Sequence, residues 1–194
     1  WVFKPASTEE LMVSLREALP LTLAGVRSDP AFAGLWTADP IMLETYDRAR
    51  AVASLSSPVL ISGETGAGKE GIARMIHAKS TRRKTPWLAV NAASLRRDLL
   101  QAELFGFVKG AATGVDARPG LLVQANGGTL FIDELQDMDP ECQAMLLRFL
   151  ATGEVRAVGA DDVRIVDVRI LAATNRDLNV YGPGGPAVRI DLLM

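Results

Sequence analysis

The sequence predicts an α/β fold, a mostly parallel sheet with helices on both faces. Three observations carry that expectation. Short apolar runs alternate with helical segments from Pro58 onward. A glycine-rich loop, Gly63-Glu64-Thr65-Gly66-Ala67-Gly68-Lys69-Glu70, separates the first of those runs from an amphipathic helix. A later apolar run ends in two adjacent acids, Asp133 and Glu134.

The elements follow in chain order. Residues 6–19 read as a helix, with Ser7 or Thr8 as cap and Glu9 and Glu10 in the first turn. Leu11, Leu15 and Ala18 form its apolar stripe, and Pro20 stops it. Residues 20–40 hold three prolines and no periodicity, and read as a linker. Glu44 to Ala53 is the next helix. Val59-Leu60-Ile61 is the first strand, and the helix after it carries Ile72, Met75 and Ile76 on one face. Trp87 to Val90 reads as a strand and Leu95 to Phe105 as a helix. Thr129 to Asp133 is the third strand, Pro140 to Leu150 a helix, and Arg169 to Ala173 the fourth strand. Gly182 to Pro186 is a Gly/Pro-rich loop. The expected organisation is therefore residues 1–20, a linker over 21–40, and a main domain over 41–194.

The bulk composition narrows the function classes. A chain of 194 residues suits one large domain and can bury roughly 70% of its unfolded surface. With 48% hydrophobic and 23% charged residues it is ordinary for a globular protein, and a net charge of −2 lacks the basic footprint of a nucleic-acid binder. Its single cysteine, Cys142, excludes an internal disulfide framework. No apolar run approaches the roughly 18 residues of a membrane span, and the N-terminus lacks a signal-peptide core. A cytoplasmic protein with no membrane partner is the expectation.

The loop Gly63 to Glu70 has the build of a phosphate cradle. Glycines allow tight turning and aim several N–H groups at phosphate oxygens, the following helix adds its positive end, and Lys69 reaches the terminal phosphates. Glu70 stands where the general pattern has Ser or Thr for magnesium. A glycine-rich turn with no ligand is the other reading of the loop alone. Asp133 and Glu134 sit where ligands bind in such folds, at the carboxyl end of a strand. Asp133 can hold magnesium and Glu134 can polarise an attacking water; a solvated strand terminus is the alternative for two acids in isolation. Lys69 about sixty residues upstream favours nucleotide hydrolysis.

Several ordered blocks then carry a family resemblance. They are Gly63 to Glu70, Ala-Val-Asn-Ala-Ala at 89–93, Glu-Leu-Phe-Gly at 103–106 and Gly-Gly-Thr-Leu-Phe-Ile-Asp-Glu at 127–134. Leu-Leu-Arg-Phe-Leu at 146–150 and Ala-Ala-Thr-Asn-Arg-Asp-Leu at 172–178 complete the set. From about Leu35 to Met194 the chain resembles the central AAA+ domain of bacterial enhancer-binding proteins, the activators of sigma-54 RNA polymerase. The resemblance implies a P-loop three-layer α-β-α domain that binds and hydrolyses ATP with Mg2+. In this family Glu is common at the position of Glu70. Lys69 and the loop backbone would bind phosphates, Asp133 would position magnesium, and Glu134 would activate water. Asn91 is similar to the polar residue that holds that glutamate aside, and Thr174 and Asn175 to a sensor of the γ-phosphate. Arg189 aligns with an arginine sent across a subunit boundary, which implies a homo-oligomeric ring, a hexamer. The implied partners are sigma-54 RNA polymerase and DNA, the latter through a domain outside this chain.

The sequence also departs from that pattern. The family's Gly-Ala-Phe-Thr-Gly-Ala loop is here Gly110-Ala111-Ala112-Thr113-Gly114-Val115, with Ala112 in place of Phe. An aromatic anchor can carry more than about 2 kcal/mol at an interface, so the change bears on the sigma-54 contact and leaves the ATPase chemistry alone. A regulatory scaffold that binds nucleotide, or a remodeller of another client, are the alternative functions. In Gly153 to Gly159 the family's arginine is expected one place later than Arg156, at Ala157. Met194 falls just before the family's second arginine and helical lid, so the lid is expected to be absent from this chain. Phe3-Lys4-Pro5 with the helix after it resembles the end of a response-regulator receiver domain, as in a two-component system. A linker helix explains the same residues. His77 reads as a packing residue, and Lys79, Arg82, Arg83 and Lys84 as a solvated basic turn.

Overall fold

The computed structural model describes residues 39–108 and 117–176. The expected helix over 6–19, the Gly110–Val115 loop, Arg189 and the loop at 182–186 lie outside the described residues. By its contacts the chain divides into Trp1–Leu43 and Glu44–Met194.

Helix α1, Pro40–Ala53, starts four residues before the expected Glu44. Proline suits the first helical position because its missing N–H has no intrahelical partner there, and the Asp39 carboxylate accepts the Ile41 N–H at 3.0 Å. Tyr46, Ala49 and Ala53 recur at helical spacing and are buried. Strand β1 is Val59–Ser62, helix α2 Lys69–Lys79 and strand β2 Trp87–Asn91. A 3-10 turn at Ala92–Ser94 leads to helix α3, Arg97–Phe105. A two-residue hairpin pairs β3, Gly106–Phe107, with β4, Arg118–Pro119, and a short helix α4, Leu121–Gln124, follows. Strand β5, Thr129–Asp133, runs into a 3-10 turn at Leu135–Asp137. Helix α5, Pro140–Thr152, has Asp139 as cap, its carboxylate accepting N–H groups of Glu141 and Cys142, and Gly153 as left-handed stop at φ 72°. Strands β6, Glu154–Arg156, and β7, Val163–Ile165, form a second hairpin, and β8 is Arg169–Thr174.

Among the described residues, four strands make the main sheet in the order β1-β8-β5-β2, all parallel. The expected parallel sheet is therefore present, built from the four anticipated strands. The two middle strands are buried on both faces, which is why they read as continuous apolar runs. Alternation of side chains then assigns the layers. Leu130, Ile132, Ile170 and Ala172 join one core with Leu100 and Leu104 of α3, Leu122 of α4 and Leu146 and Phe149 of α5. Phe131, Leu171 and Ala173 face the other way, the side on which α2 packs with Ile72, Ala73, Met75 and Ile76. The result is a three-layer α-β-α arrangement.

One buried cation holds that second face. Arg169, only 2% exposed, donates to the carbonyls of Val52 at 2.7 Å, Ala53 at 2.9 Å and, more weakly, Ser57 at 3.4 Å. Two of these carbonyls end α1, where a helix leaves its acceptors unpaired and its dipole favours positive charge. Among the described residues no helix is long and apolar enough to cross a membrane.

Candidate functional site

Parallel pairing sets the carboxyl ends of all four strands along one edge. Ser62 pairs with Thr174, Ile132 with Ala172, and Asn91 with Asp133. Every residue expected in the site within the described range leaves the sheet at, or just beyond, that edge.

The loop after β1 begins with a main-chain link, the Gly63 N–H donating to the Thr174 carbonyl at 3.1 Å. Gly66 and Gly68 then take φ of 81° and 82°, a left-handed backbone that side chains with a Cβ rarely adopt. Gly68 is also the residue before α2 and offers no side-chain cap, so the first-turn N–H groups stay available for an anion. Lys69 is 9% exposed, and its ammonium donates to the carbonyls of Gly63 and Glu64, each at 3.0 Å. Its charge is thus folded back over the mouth of the loop. Glu64, Thr65 and Ala67 lie exposed on the same loop.

Glu70 holds the position where the general pattern has Ser or Thr. It is the second residue of α2, and its carboxylate meets Arg74 one turn on, at 2.8 and 3.0 Å, with 53% of the side chain exposed. The i,i+4 geometry of the helix surface directs it there rather than toward Asp133.

Asp133 ends β5. Its Oδ1 accepts the Glu134 N–H at 3.0 Å, and its Oδ2 lies 3.4 Å from Asn91 Nδ2. The resemblance implies that Asn91 holds Glu134 aside; in this structure its amide lies against Asp133. The β2–β5 register sets Asn91 directly opposite Asp133, while its Oδ1 is occupied by the Ala93 N–H at 2.9 Å. Glu134 has already left the strand through a left-handed backbone, φ 52° and ψ 49°, the only described non-glycine residue with positive φ. That outlier aims its side chain at Gln136, whose Nε2 donates to Glu134 Oε2 at 2.6 Å.

Thr174 is fully buried at the end of β8. Its hydroxyl donates to Gln136 Oε1 at 2.7 Å and accepts the Arg176 N–H at 3.2 Å. Asn175 extends outward instead, its Nδ2 donating to Thr65 Oγ1 at 3.1 Å across to the glycine-rich loop. The two expected sensor residues therefore face different partners, Thr174 the acidic turn and Asn175 the loop. Gln136 was not foreseen. Nothing in its spacing marks it, and its one sequence signal is a polar residue in an otherwise ordinary turn after the two acids.

No trio of His, Cys, Asp or Glu that could cage a metal occurs among the described residues. A magnesium ion does not need one, since it is commonly held by one or two carboxylates with phosphates and waters completing its shell. Asp133, half-buried at a strand end and with oxygens reached, among the described residues, by Asn91 and a backbone N–H, fits such a role.

His77 and Cys142 lie outside the site. His77 Nδ1 is 3.0 Å from Thr129 Oγ1, and burial, with a smaller push from Arg169, lowers its pKa below the usual 6.5. Burial, with Asp139 and Glu141 nearby, pushes the Cys142 thiol up to about 12. A cavity of about 300 Å³ between the two hairpins, lined by Phe105, Phe107, Val123, Val155 and Arg164, contains none of the expected site residues.

Comparison with known proteins gives a consistent result. The family model described as the sigma-54 interaction domain matches residues 35–191. The transcriptional regulatory protein ZraR of Klebsiella oxytoca is 43% identical over 183 residues, 92% of this chain and 41% of that protein. The Nif-specific regulatory protein of Azotobacter vinelandii is 51% identical over 140 residues, 72% of this chain and 27% of that protein. Among solved structures, NtrX from Brucella abortus in complex with ADP superposes with a TM-score of 0.69 at 32% identity, over 90% of this chain and 38% of that one. NtrX in complex with ATP gives 0.67 at the same identity, over 88% of this chain and 36% of that one. The chain thus spans about two fifths of the length of ZraR. With the match covering most of its residues, and with the strand-edge site in the matched region, the chain belongs to the sigma-54 interaction domain family.

Proposed function

We propose that this chain is the ATP-binding and ATP-hydrolysing AAA+ module of a bacterial transcriptional regulator that remodels sigma-54 RNA polymerase holoenzyme. The observation that carries the reading is the convergence of the Gly63–Glu70 loop, Asp133–Glu134 and Thr174–Asn175 on one edge of one parallel sheet. In this reading the amides at the start of α2 and the Lys69 ammonium bind the phosphates, a better set of acceptors than the two carbonyls Lys69 now holds. Asp133 would hold Mg2+, which when bound neutralises charge developing on the phosphates. Glu134 takes a proton from the attacking water, and Asn175, tied to Thr65, registers the outermost phosphate from the β8 side. Arg189 would reach a neighbouring subunit's nucleotide in a hexameric ring, stabilising transition-state charge. DNA would be engaged through a domain outside this chain, in the cytoplasm, with no membrane partner.

The test is steady-state ATP turnover and nucleotide binding by the full-length protein. Lys69→Ala should lose binding, and Glu134→Gln should keep binding while losing turnover. Wild-type turnover by Glu134→Gln would refute the assignment. The sigma-54 part is tested by binding to sigma-54 in the presence of ADP–aluminium fluoride, with Ala112→Phe measured alongside. Ala112 itself favours a second reading, a nucleotide-dependent scaffold or a remodeller of another client. Binding by the Phe variant alone would favour another client, and no gain of binding in that variant would favour the scaffold.

A further inference from the structure

We infer that Gln136 is a positioning residue for Glu134, fixing the carboxylate through one oxygen and tying its orientation to the end of β8. This inference rests on the reading of Glu134 as the group that activates water.

The side chain of Gln136 is 7% exposed and its hydrogen-bonding capacity is fully engaged on the donor side. One Nε2 hydrogen serves Glu134 Oε2 at 2.6 Å and the other Asp137 Oδ2 at 3.2 Å. Oε1 accepts the Thr174 hydroxyl proton at 2.7 Å. The amide orientation is dictated by its neighbours, because two carboxylates accept only and so require the nitrogen to face them. Thr174 gives its single hydroxyl proton to Gln136 and accepts the Arg176 N–H through its oxygen. A chain of directed hydrogen bonds therefore runs from the backbone after β8 through Thr174 and Gln136 to Glu134.

The chemistry suits positioning. A carboxylate acting as a base needs one oxygen for the proton, and the second can be used to hold the group still. Glu134 Oε2 is held, and Oε1 takes no hydrogen bond among the described residues. The left-handed backbone at Glu134, a costly conformation for a non-glycine residue, persists where its surroundings over-determine it, and the Gln136 bond is one such determinant. A hydrogen bond to a charged group, lost without any change in substrate contact, should appear in turnover and not in binding.

The experiment is ATP turnover by the full-length protein as a function of ATP concentration, with nucleotide affinity and thermal midpoint measured on the same samples. Gln136→Met keeps the shape and removes both donors. It should lower kcat at least about ten-fold, the worth of a charge-assisted bond, with KM and affinity within about two-fold. Gln136→Glu keeps an acceptor for Thr174 but sets a carboxylate against Glu134, and should be no better than Gln136→Met. Thr174→Val should lower kcat in the same sense, and Thr174→Ser, which keeps the hydroxyl, should restore it. Should Gln136→Met prove unstable, the Val and Ser pair at position 174 decides. A kcat within two-fold of wild type for Gln136→Met, or equal rates for Thr174→Val and Thr174→Ser, overturns the inference. Glu134→Gln in the same assay separates the two levels. Normal turnover there refutes the role of Glu134, whereas loss there with a normal Gln136→Met refutes only Gln136.

Discussion

Replacing Gly68 by Ala should weaken nucleotide binding about five- to thirty-fold while leaving the fold intact. Gly68 has φ 82° and ψ 23°, and a Cβ built on it meets nothing within 4 Å. Neighbouring atoms therefore add no steric cost, and the whole penalty is that of a left-handed backbone for an L-residue, about 1–2 kcal/mol. The loop either bears that cost when it binds or relaxes to a negative φ, which turns the first amides of α2 away from the ligand. At about 1.4 kcal/mol per ten-fold, a cost of about 1–2 kcal/mol on binding gives the stated range. Gly63→Ala is the control. Its backbone is not left-handed, and a Cβ there would lie 3.7 Å from Ala67 Cβ and 4.0 Å from Lys69 Cγ, ordinary contact distances. Its N–H is already donated to Thr174 and is not among those offered to a ligand. Gly63→Ala should change affinity by less than about two-fold on the same conversion. The assay is titration of a fluorescent ADP analogue into the full-length protein, with thermal midpoints recorded for each variant. Equal losses for the two variants, or no loss for Gly68→Ala, would refute the reasoning.

Three other expectations follow from the same structure. Arg169→Met removes two short bonds to helix-end carbonyls, at 2.7 and 2.9 Å, and should cost about 3–5 kcal/mol in denaturant unfolding followed by tryptophan fluorescence; a loss below about 1 kcal/mol would count against the buried-cation account. His77 has a folded pKa below its unfolded value, so the unfolded chain binds the proton more readily. Its contribution to stability is complete above about pH 6.5 and is lost as pH falls below it; melts between pH 7.5 and 5.5 should show that loss in the wild type and less of it in His77→Gln. Cys142, with its thiol pushed up to about 12 and its side chain buried, should resist a disulfide reagent at pH 8 and react fully once denatured. Rapid reaction of the folded protein would contradict the burial.

Much of this architecture was legible because its middle strands are buried on both faces. Leu130–Ile132 and Ile170–Ala173 read as unbroken apolar runs, and the helices between them carry their stripes plainly. The two hairpins were not legible. Gly106–Phe107 with Arg118–Pro119, and Glu154–Arg156 with Val163–Ile165, are two- and three-residue strands, too short for any periodicity to show. The site was readable in its main-chain parts, since glycines and strand-end acids are fixed by local geometry. Side-chain partners were harder. Asn91 meets Asp133 because the register sets them opposite, and Glu134 turns away through an unusual backbone that propensity does not announce. Arg169 looked like the first residue of a strand. Its burial depends on carbonyls more than a hundred positions earlier, which no local pattern encodes.

The link from the Gly63 N–H to the Thr174 carbonyl joins the phosphate loop to β8 without using any side chain. Such a joint is indifferent to which side chains flank it, so both ends can change their chemistry and still stay joined. Mutation can retune what each end detects far more easily than it can disconnect them. Of the twenty residues only proline, which has no N–H to give, would cut the wire at position 63. Side-chain changes on either strand therefore leave the loop anchored to β8.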